Sequence, residues 1–318
     1  MAVSVRQPFH IGDHRAWYRL LAVGLIVGLV AASTPTEAAQ CAAQKAAAPA
    51  QVALAPPPSP SLTPTPPPAP PVPTSGCPYP TSGFWCAQQQ RFAAAEKYLA
   101  SRPGITAVVV RNRATGAVWR NSHTKRPIWT ASAIKLAMAL DLLERDAAGA
   151  IRLTPADHAQ VSAMIRTSDD NAATRLWERY NGPAQRQRYA AYGLTGLRFP
   201  GRVYWGAAQS TAEDFDRLIN HVLDLPQADI REYLVKQMQA VGVNQQWGVW
   251  GAGAAAAPGN KNGWWGYGSG WVINSVGFVG PDQRYTVTLM NDLQGRGGYK
   301  DGVETTTQVA HLLFAERF

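Results

Sequence analysis

The chain has 318 residues and a formal net charge of +9, of which only about 240 have the composition of a folded domain. The charge favours anionic partners such as wall polymers or lipid head groups, but no dense block of basic residues indicates nucleic-acid binding. None of the three cysteines has the paired spacing or histidine neighbours of a zinc site, so we expect no metal ion and no cofactor.

Residues 1–39 have the pattern of an export signal. Three arginines precede an apolar run of about a dozen residues that starts after Leu20, which is short for a membrane span. The small residues that follow fit cleavage near Ala38 or Ala39, with an uncleaved membrane anchor as the alternative. The residues before Cys41 match a lipoprotein box poorly. The pattern predicts a secreted or cell-surface protein.

Residues 40–83 form a predicted disordered, proline-rich linker. Its segment APPPSPSLTPTPPPAPPVPTSG favours extended polyproline geometry, because proline cannot supply the backbone donors of helices and sheets. Such a tract either holds a domain at a distance, as suits work in or across a cell wall, or links without a particular reach. In an exported chain, the adjacent CPYPTSGFWC can close a disulfide between Cys77 and Cys86.

Residues 84–318 alternate helical and extended patterns in an order that predicts an α+β fold. A helix ending before Pro103 is followed by a hairpin signal, a helix over residues 132–146 and further helices to about residue 240. Three β-rich runs and a closing helix complete the chain. The sheet is therefore expected to draw strands from both ends of the domain, with a helical lobe between them.

The segment ASAIKLAMALDLLE places Lys135 at the head of an apolar helix, three positions after Ser132. Burial lowers the pKa of an amine, so a neutral lysine on the same helix face can take the proton of the serine. The alternative is a capping serine with a lysine that extends to solvent.

Two further segments carry polar residues in apolar surroundings. MIRTSDDNAATRLW places Ser168, Asp170 and Asn171 in a short turn between two helical stretches, which by itself is typical of a helix cap. NKNGWW places Lys261 and Gly263 on a β-run, which by itself is typical of a charged edge strand.

Together and in this order, the three segments resemble the motifs S-x-x-K, S-D-N and K-T-G of class A β-lactamases and penicillin-binding D,D-peptidases. The resemblance covers roughly residues 84–318 and is strongest to an exported, actinobacterial-type branch of serine hydrolases. It implies an antiparallel five-stranded sheet flanked by helices, with an all-helical lobe.

The resemblance also implies a role for each matching residue. Ser132 corresponds to the acylated nucleophile, Lys135 to its general base and Ser168 to a proton relay. Lys261 adds positive potential near a substrate carboxylate, and backbone N–H groups of Ser132 and Trp264 form the oxyanion hole. The expected substrate contacts are made by Asp170, Asn171, Asn262, Gly263 and Trp264.

Three departures from the family pattern affect this prediction. Asp170 stands where the second motif usually has asparagine, and Asn262 replaces the threonine or serine of the third motif. Class A β-lactamases carry a loop glutamate that activates the deacylating water, but no acidic residue lies between Glu178 and Glu213. We therefore expect weaker affinity for β-lactams and slow deacylation.

The sequence predicts a monomeric, exported serine hydrolase that transfers an acyl group through Ser132. Its expected substrate is a small molecule or peptide, such as a cell-wall peptide, a β-lactam or a related amide or ester, and contact with the cell wall is expected. Two alternatives stay open: a true class A-like β-lactamase, and a cell-surface binding module that keeps the fold but has lost catalysis.

Overall fold

The computed structural model describes residues 76–201, 203–268 and 270–315. The predicted export signal, most of the proline-rich linker and Cys41 lie outside these residues. Cys77 and Cys86 form the expected disulfide, with a Cα–Cα distance of 5.3 Å. Close to this disulfide, the Tyr79 ring contacts the rings of Phe92 and Trp119, so the end of the segment assigned to the linker packs on the folded domain.

The strands of the described residues, in chain order, are β1 Ile105–Asn112, β2 Val118–Arg120, β3 Ile128–Trp129, β4 Gln209–Ser210, β5 Gly259–Tyr267, β6 Gly270–Val279 and β7 Tyr285–Asp292. Five of them form one antiparallel sheet in the order β2–β1–β7–β6–β5, whereas β3 and β4 pair separately. The predicted five-stranded sheet is thus confirmed, with β1 and β2 contributed by the amino-terminal part of the domain.

The helices of the described residues are α1 Cys86–Ala100, α2 Lys135–Ala147, α3 Pro155–Arg166, α4 Asp170–Arg179, α5 Gly182–Gln185, α6 Ala212–Leu223, α7 Ala228–Gln239 and α8 Tyr299–Phe314. A capping box starts α3, since the Thr154 hydroxyl accepts from the backbone N–H of Asp157 and the Asp157 carboxylate accepts from the backbone N–H of Thr154. Among the described residues, no helix combines the length and apolar character that a membrane span requires.

The sheet is buried on both faces, because alternate side chains of a strand point in opposite directions. On β1, Val108 and Val110 pack with residues of α1 and α8, whereas Ala107 and Val109 pack with the helical lobe. This double burial explains why β1 reads as a nearly continuous apolar run rather than an alternating one. The predicted α+β class is confirmed.

The helix expected over residues 132–146 begins differently from the prediction. Residues Ala131–Ile134 form a 3-10 turn, and the α-helix α2 starts only at Lys135. Ser132 therefore lies on a tight turn in front of the helix, and the lysine is the first helical residue.

Candidate active site

Ser132 lies on a turn that the sheet holds in a strained backbone conformation. Ala131, the residue before it, has φ = 45°, in the left-handed region that a side chain disfavours. The side-chain amide of Asn274 on β6 donates to the carbonyls of Trp129 and Thr130, at 2.9 and 3.1 Å. Strain of this kind persists only where neighbouring structure imposes it, as these hydrogen bonds do here.

Gly263 on β5 packs directly against the same turn. A Cβ atom at this position would lie 2.5 Å from the backbone nitrogen of Ala133 and 3.0 Å from that of Ser132. The sequence led us to expect that Gly263 contacts substrate. In the structure, the backbone that approaches Gly263 belongs to the Ser132 turn.

The Lys135 side chain is fully buried and its amine is surrounded by acceptors. Nζ donates to the Ser168 carbonyl at 2.8 Å and to Asp170 Oδ1 at 2.5 Å, with a longer contact of 3.5 Å to Ser168 Oγ. The Trp205 ring centroid lies 4.6 Å from Nζ. Three oxygen acceptors and an aromatic face suit a charged ammonium. Within the described part of the chain, no hydrogen bond joins this amine to the Ser132 hydroxyl.

Opposing influences act on the pKa of Lys135. Burial lowers it, because a charged amine is poorly solvated inside the protein, whereas the hydrogen bond and the negative charge of Asp170 raise it. The net direction is downward. The substitution of aspartate for the family's asparagine therefore opposes the shift that a general base requires.

Ser168 joins the second and third motifs. It has φ = 59° and precedes α4, whose first turn is capped by the side chain of Asp169. Ser168 Oγ accepts from Lys261 Nζ at 2.9 Å, and the same amine donates to the Asn262 carbonyl at 2.6 Å. Burial lowers the pKa of Lys261 well below its usual value, and the positive charge of Lys135 lowers it further.

Two predicted substrate contacts do not present their side chains to the cleft. Asn262 is buried, its amide nitrogen donates to the Gln245 carbonyl at 2.8 Å, and its oxygen accepts from Asn260 at 2.6 Å. Its polar groups are thus satisfied inside the protein. Asn171 is exposed at the start of α4 and does not line the cleft beside Ser132. Of the two candidates in the second motif, Asp170 is the one that faces the cleft.

The cleft beside Ser132 has a volume of about 270 Å³. Of the nine described residues that line it, four are aromatic and one, Asp170, is charged. The predicted Trp264 is among the lining residues. The lining consists of Ala131, Ser132, Asp170, Tyr204, Trp205, Gly206, Ala207, Trp264 and Trp265.

The segment 204–207 supplies part of this lining, and the sequence prediction did not assign it to the site. It lies in the stretch without acidic residues, and its Trp205 indole stands beside the Lys135 amine. Trp205 is both buried and part of the cleft wall. The absence of an acidic residue between Glu178 and Glu213 was the sequence signal that could have drawn attention to this segment.

A larger cavity of about 560 Å³ contains none of the predicted site residues. Two of its arginines form ion pairs, Arg111 with Asp216 and Arg113 with Asp224, so their charges are largely neutralised. The described residues also include no cluster of three or more histidine, cysteine or acidic side chains that could hold a metal ion. The chemistry-bearing residues therefore converge on the smaller cleft.

Comparison with known proteins relates the chain to two groups. No model of a known protein family matches it. The candidate lipoprotein LppW of Mycobacterium tuberculosis and of Mycobacterium bovis is 32% identical over 210 residues, which are 63% of this chain and 67% of the relative.

Solved structures with the same fold include PBP-A, with a TM-score of 0.61 and 17% identity over 71% of this chain and 94% of its own. A class A β-lactamase from Bacteroides cellulosilyticus has a TM-score of 0.61 and 16% identity, over 71% and 96% of the two chains. An ancestral class A β-lactamase has a TM-score of 0.58 and 21% identity, over 71% and 98%. These likenesses show the fold.

Proposed function

We propose that this chain, which belongs to the family of the mycobacterial protein LppW, is an exported serine hydrolase that acts through an acyl-enzyme at Ser132. Its fold is that of β-lactamases and penicillin-binding proteins. The observation that carries the proposal is the convergence of three motifs that are distant in sequence. Both buried lysines contact Ser168 Oγ, at 2.9 Å from Lys261 and 3.5 Å from Lys135, beneath the cleft that Ser132 lines.

The proposed acylation is a substitution at an acyl carbon. Ser132 Oγ forms a bond to this carbon, the bond to the leaving oxygen or nitrogen breaks, and the serine proton ends on the leaving group. Lys135 takes the proton once its ion pair with Asp170 opens and it is neutral. Ser168 passes its hydroxyl proton to the leaving group and regains one from Lys135, whose amine lies 3.5 Å from Ser168 Oγ. Lys261 holds the Ser168 hydroxyl in place through its 2.9 Å contact.

We propose that the acyl-enzyme is long-lived. A base that activates water is typically worth about 10² to 10⁴ in rate. The usual loop glutamate is missing, and an indole stands beside the Lys135 amine. Asp170 is the one carboxylate among the described lining residues, and it is already engaged in an ion pair with Lys135. A true β-lactamase would need Asp170 to leave this pair and act on water.

A second candidate function is supported by the same ion pair. An ammonium held by Asp170 and two oxygens of Ser168 is poorly placed to take the serine proton. This arrangement favours a binding module that keeps the fold without catalysis.

Intact-mass measurement after exposure to penicillin and to a fluorophosphonate probe distinguishes these functions. The acyl-enzyme proposal expects an increase of one penicillin mass, or of one fluorophosphonate mass less hydrogen fluoride, that persists for hours and is absent from Ser132→Ala. If neither reagent adds mass while circular dichroism shows an intact fold, the binding module is correct. Rapid hydrolysis of penicillin over many turnovers would make the protein a β-lactamase.

We also propose a location outside the cytoplasm, at the cell surface or secreted. Support comes from the apolar amino-terminal segment and from the relative LppW, whose name describes a candidate lipoprotein. Cell fractionation with an antibody against the folded domain tests this location, and recovery in the cytoplasmic fraction alone would contradict it.

A further inference from the structure

We infer that the Ser132 cleft is built for an ester or amide whose acyl part is an uncharged, flat ring, and that it disfavours a substrate with a free carboxylate. This inference names the substrate class of the proposed enzyme and rests on that proposed function. It starts from the charges that the cleft presents. Among the described residues, its lining includes one ionisable carboxylate, that of Asp170, and no lysine or arginine.

The two lysines beneath the cleft are not available to bind a substrate carboxylate. Lys135 and Lys261 are both fully buried. The Lys135 amine is taken by oxygens of Ser168 and Asp170, and the Lys261 amine by Ser168 and the Asn262 carbonyl. A substrate carboxylate could reach either amine only by displacing these partners.

The polar side chains of the third motif do not offer another group that could bind a substrate carboxylate. Asn262 occupies the position whose hydroxyl would bind a carboxylate according to the family resemblance, but its amide is bonded to Gln245 and Asn260 inside the protein. Asp170, by contrast, has a side chain that is 72% exposed. An incoming carboxylate therefore meets the exposed carboxylate of Asp170, whose charge the buried Lys135 ammonium offsets in part, and finds no compensating donor on a side chain of the third motif.

The aromatic walls favour a flat ring. Among the described residues, four large apolar side chains are exposed, and two of them, Tyr204 at 39% and Trp265 at 40%, line this cleft. Both are braced: Tyr204 Oη lies 3.2 Å from Thr174 Oγ1, and the Trp265 ring contacts Trp129 edge to face at 5.3 Å. Exposed aromatic faces held in position are typical of ligand contact surfaces.

The size of the cleft limits the ligand. A volume of about 270 Å³ is below the range of about 300 to 1,000 Å³ that is usual for drug-sized ligands. The cleft therefore accommodates one ring with its acyl group. A longer substrate would have to extend beyond it.

The test uses the full chain and two p-nitrophenyl phenylacetates that differ only at the para position of the acyl ring, one with a carboxamide and one with a carboxylate. The rate of Ser132 acylation by each ester is divided by its rate with hydroxide, to remove intrinsic reactivity. We expect the carboxamide ester to react at least about fivefold faster. Trp265→Ala should slow the carboxamide ester by about three- to tenfold, whereas Trp85→Ala, which removes an exposed tryptophan outside the cleft, should not.

A binding measurement separates this inference from the proposed function. The corresponding unreactive amides are titrated into the Ser132→Ala protein and followed by tryptophan fluorescence. If neither ester acylates Ser132, the proposed function fails, and the amides still decide the ligand preference. Tighter binding of the carboxamide supports the inference. Equal or tighter binding of the carboxylate, binding of neither amide, or faster acylation by the carboxylate ester would overturn it.

Discussion

Replacing Asp170 by asparagine should accelerate acylation of Ser132 at neutral pH. The substitution keeps the shape of the side chain and removes the negative charge that holds Lys135 as an ammonium. Two unit charges about 4 Å apart interact by about 4 kcal/mol at an effective dielectric constant of about 20. Because the Asp170 side chain is 72% exposed, solvent screening reduces this to an estimated 1–2 kcal/mol. The pKa of Lys135 should therefore fall by about one unit in Asp170→Asn. At a pH below this pKa, about tenfold more of the amine is then neutral.

The assay follows the rate of covalent labelling by a fluorescent fluorophosphonate, which carries no carboxylate that Asp170 could repel, between pH 6 and about pH 10, in the wild type and in Asp170→Asn. We expect the variant to react about tenfold faster near pH 7 and its rate profile to inflect about one pH unit lower. Asp169→Asn is the matched control, because the charge of Asp169 raises the pKa of Lys135 less than Asp170 does and the variant keeps a side chain that can cap α4. We expect a smaller acceleration in this control.

Two results would refute the reasoning. An unchanged inflection in Asp170→Asn would mean that Lys135 does not set the reactivity of Ser132. Slower labelling in Asp170→Asn than in Asp169→Asn would mean that the carboxylate itself takes part in acylation.

Three further predictions concern the fold and the buried amine. Gly263→Ala should lower the free energy of unfolding by about 1–3 kcal/mol and abolish labelling, because the added Cβ would meet backbone atoms of the Ser132 turn. The control Gly201→Ala, which has open space around the added Cβ, should do neither, and equal denaturation midpoints of the two variants would contradict the prediction. Lys261→Met should raise the free energy of unfolding at pH 7, because in the wild type the unfolded lysine binds a proton that the buried amine, with its lowered pKa, does not. This advantage of the variant should shrink as the pH rises toward about 10.5. Urea titrations at several pH values measure the difference, and a difference that does not change with pH would count against a lowered pKa. Deleting residues 1–75 should leave a folded domain that labels at the wild-type rate, and loss of either property would show that the proline-rich segment contributes to the domain.

The sequence by itself determined the class of the fold, because its signals are local. The capping box at Thr154 and the turns between β-runs depend on residues a few positions apart, so they could be recognised without a structure. The three polar motifs were recognised in the same way. Their order along the chain was enough to indicate the β-lactamase-like fold, which the structure confirms.

Tertiary structure alone decided how the site residues are partnered. Asp170 pairs with Lys135, Asn262 turns inward to Gln245, and Trp205 lies against the lysine amine. None of these partners could be identified from sequence spacing, because the face that an element presents and the segment that packs against it are set by the packing of the whole domain. The identity of each residue limits what chemistry it can perform, whereas its neighbours in space decide whether it is charged, buried or in contact with a substrate.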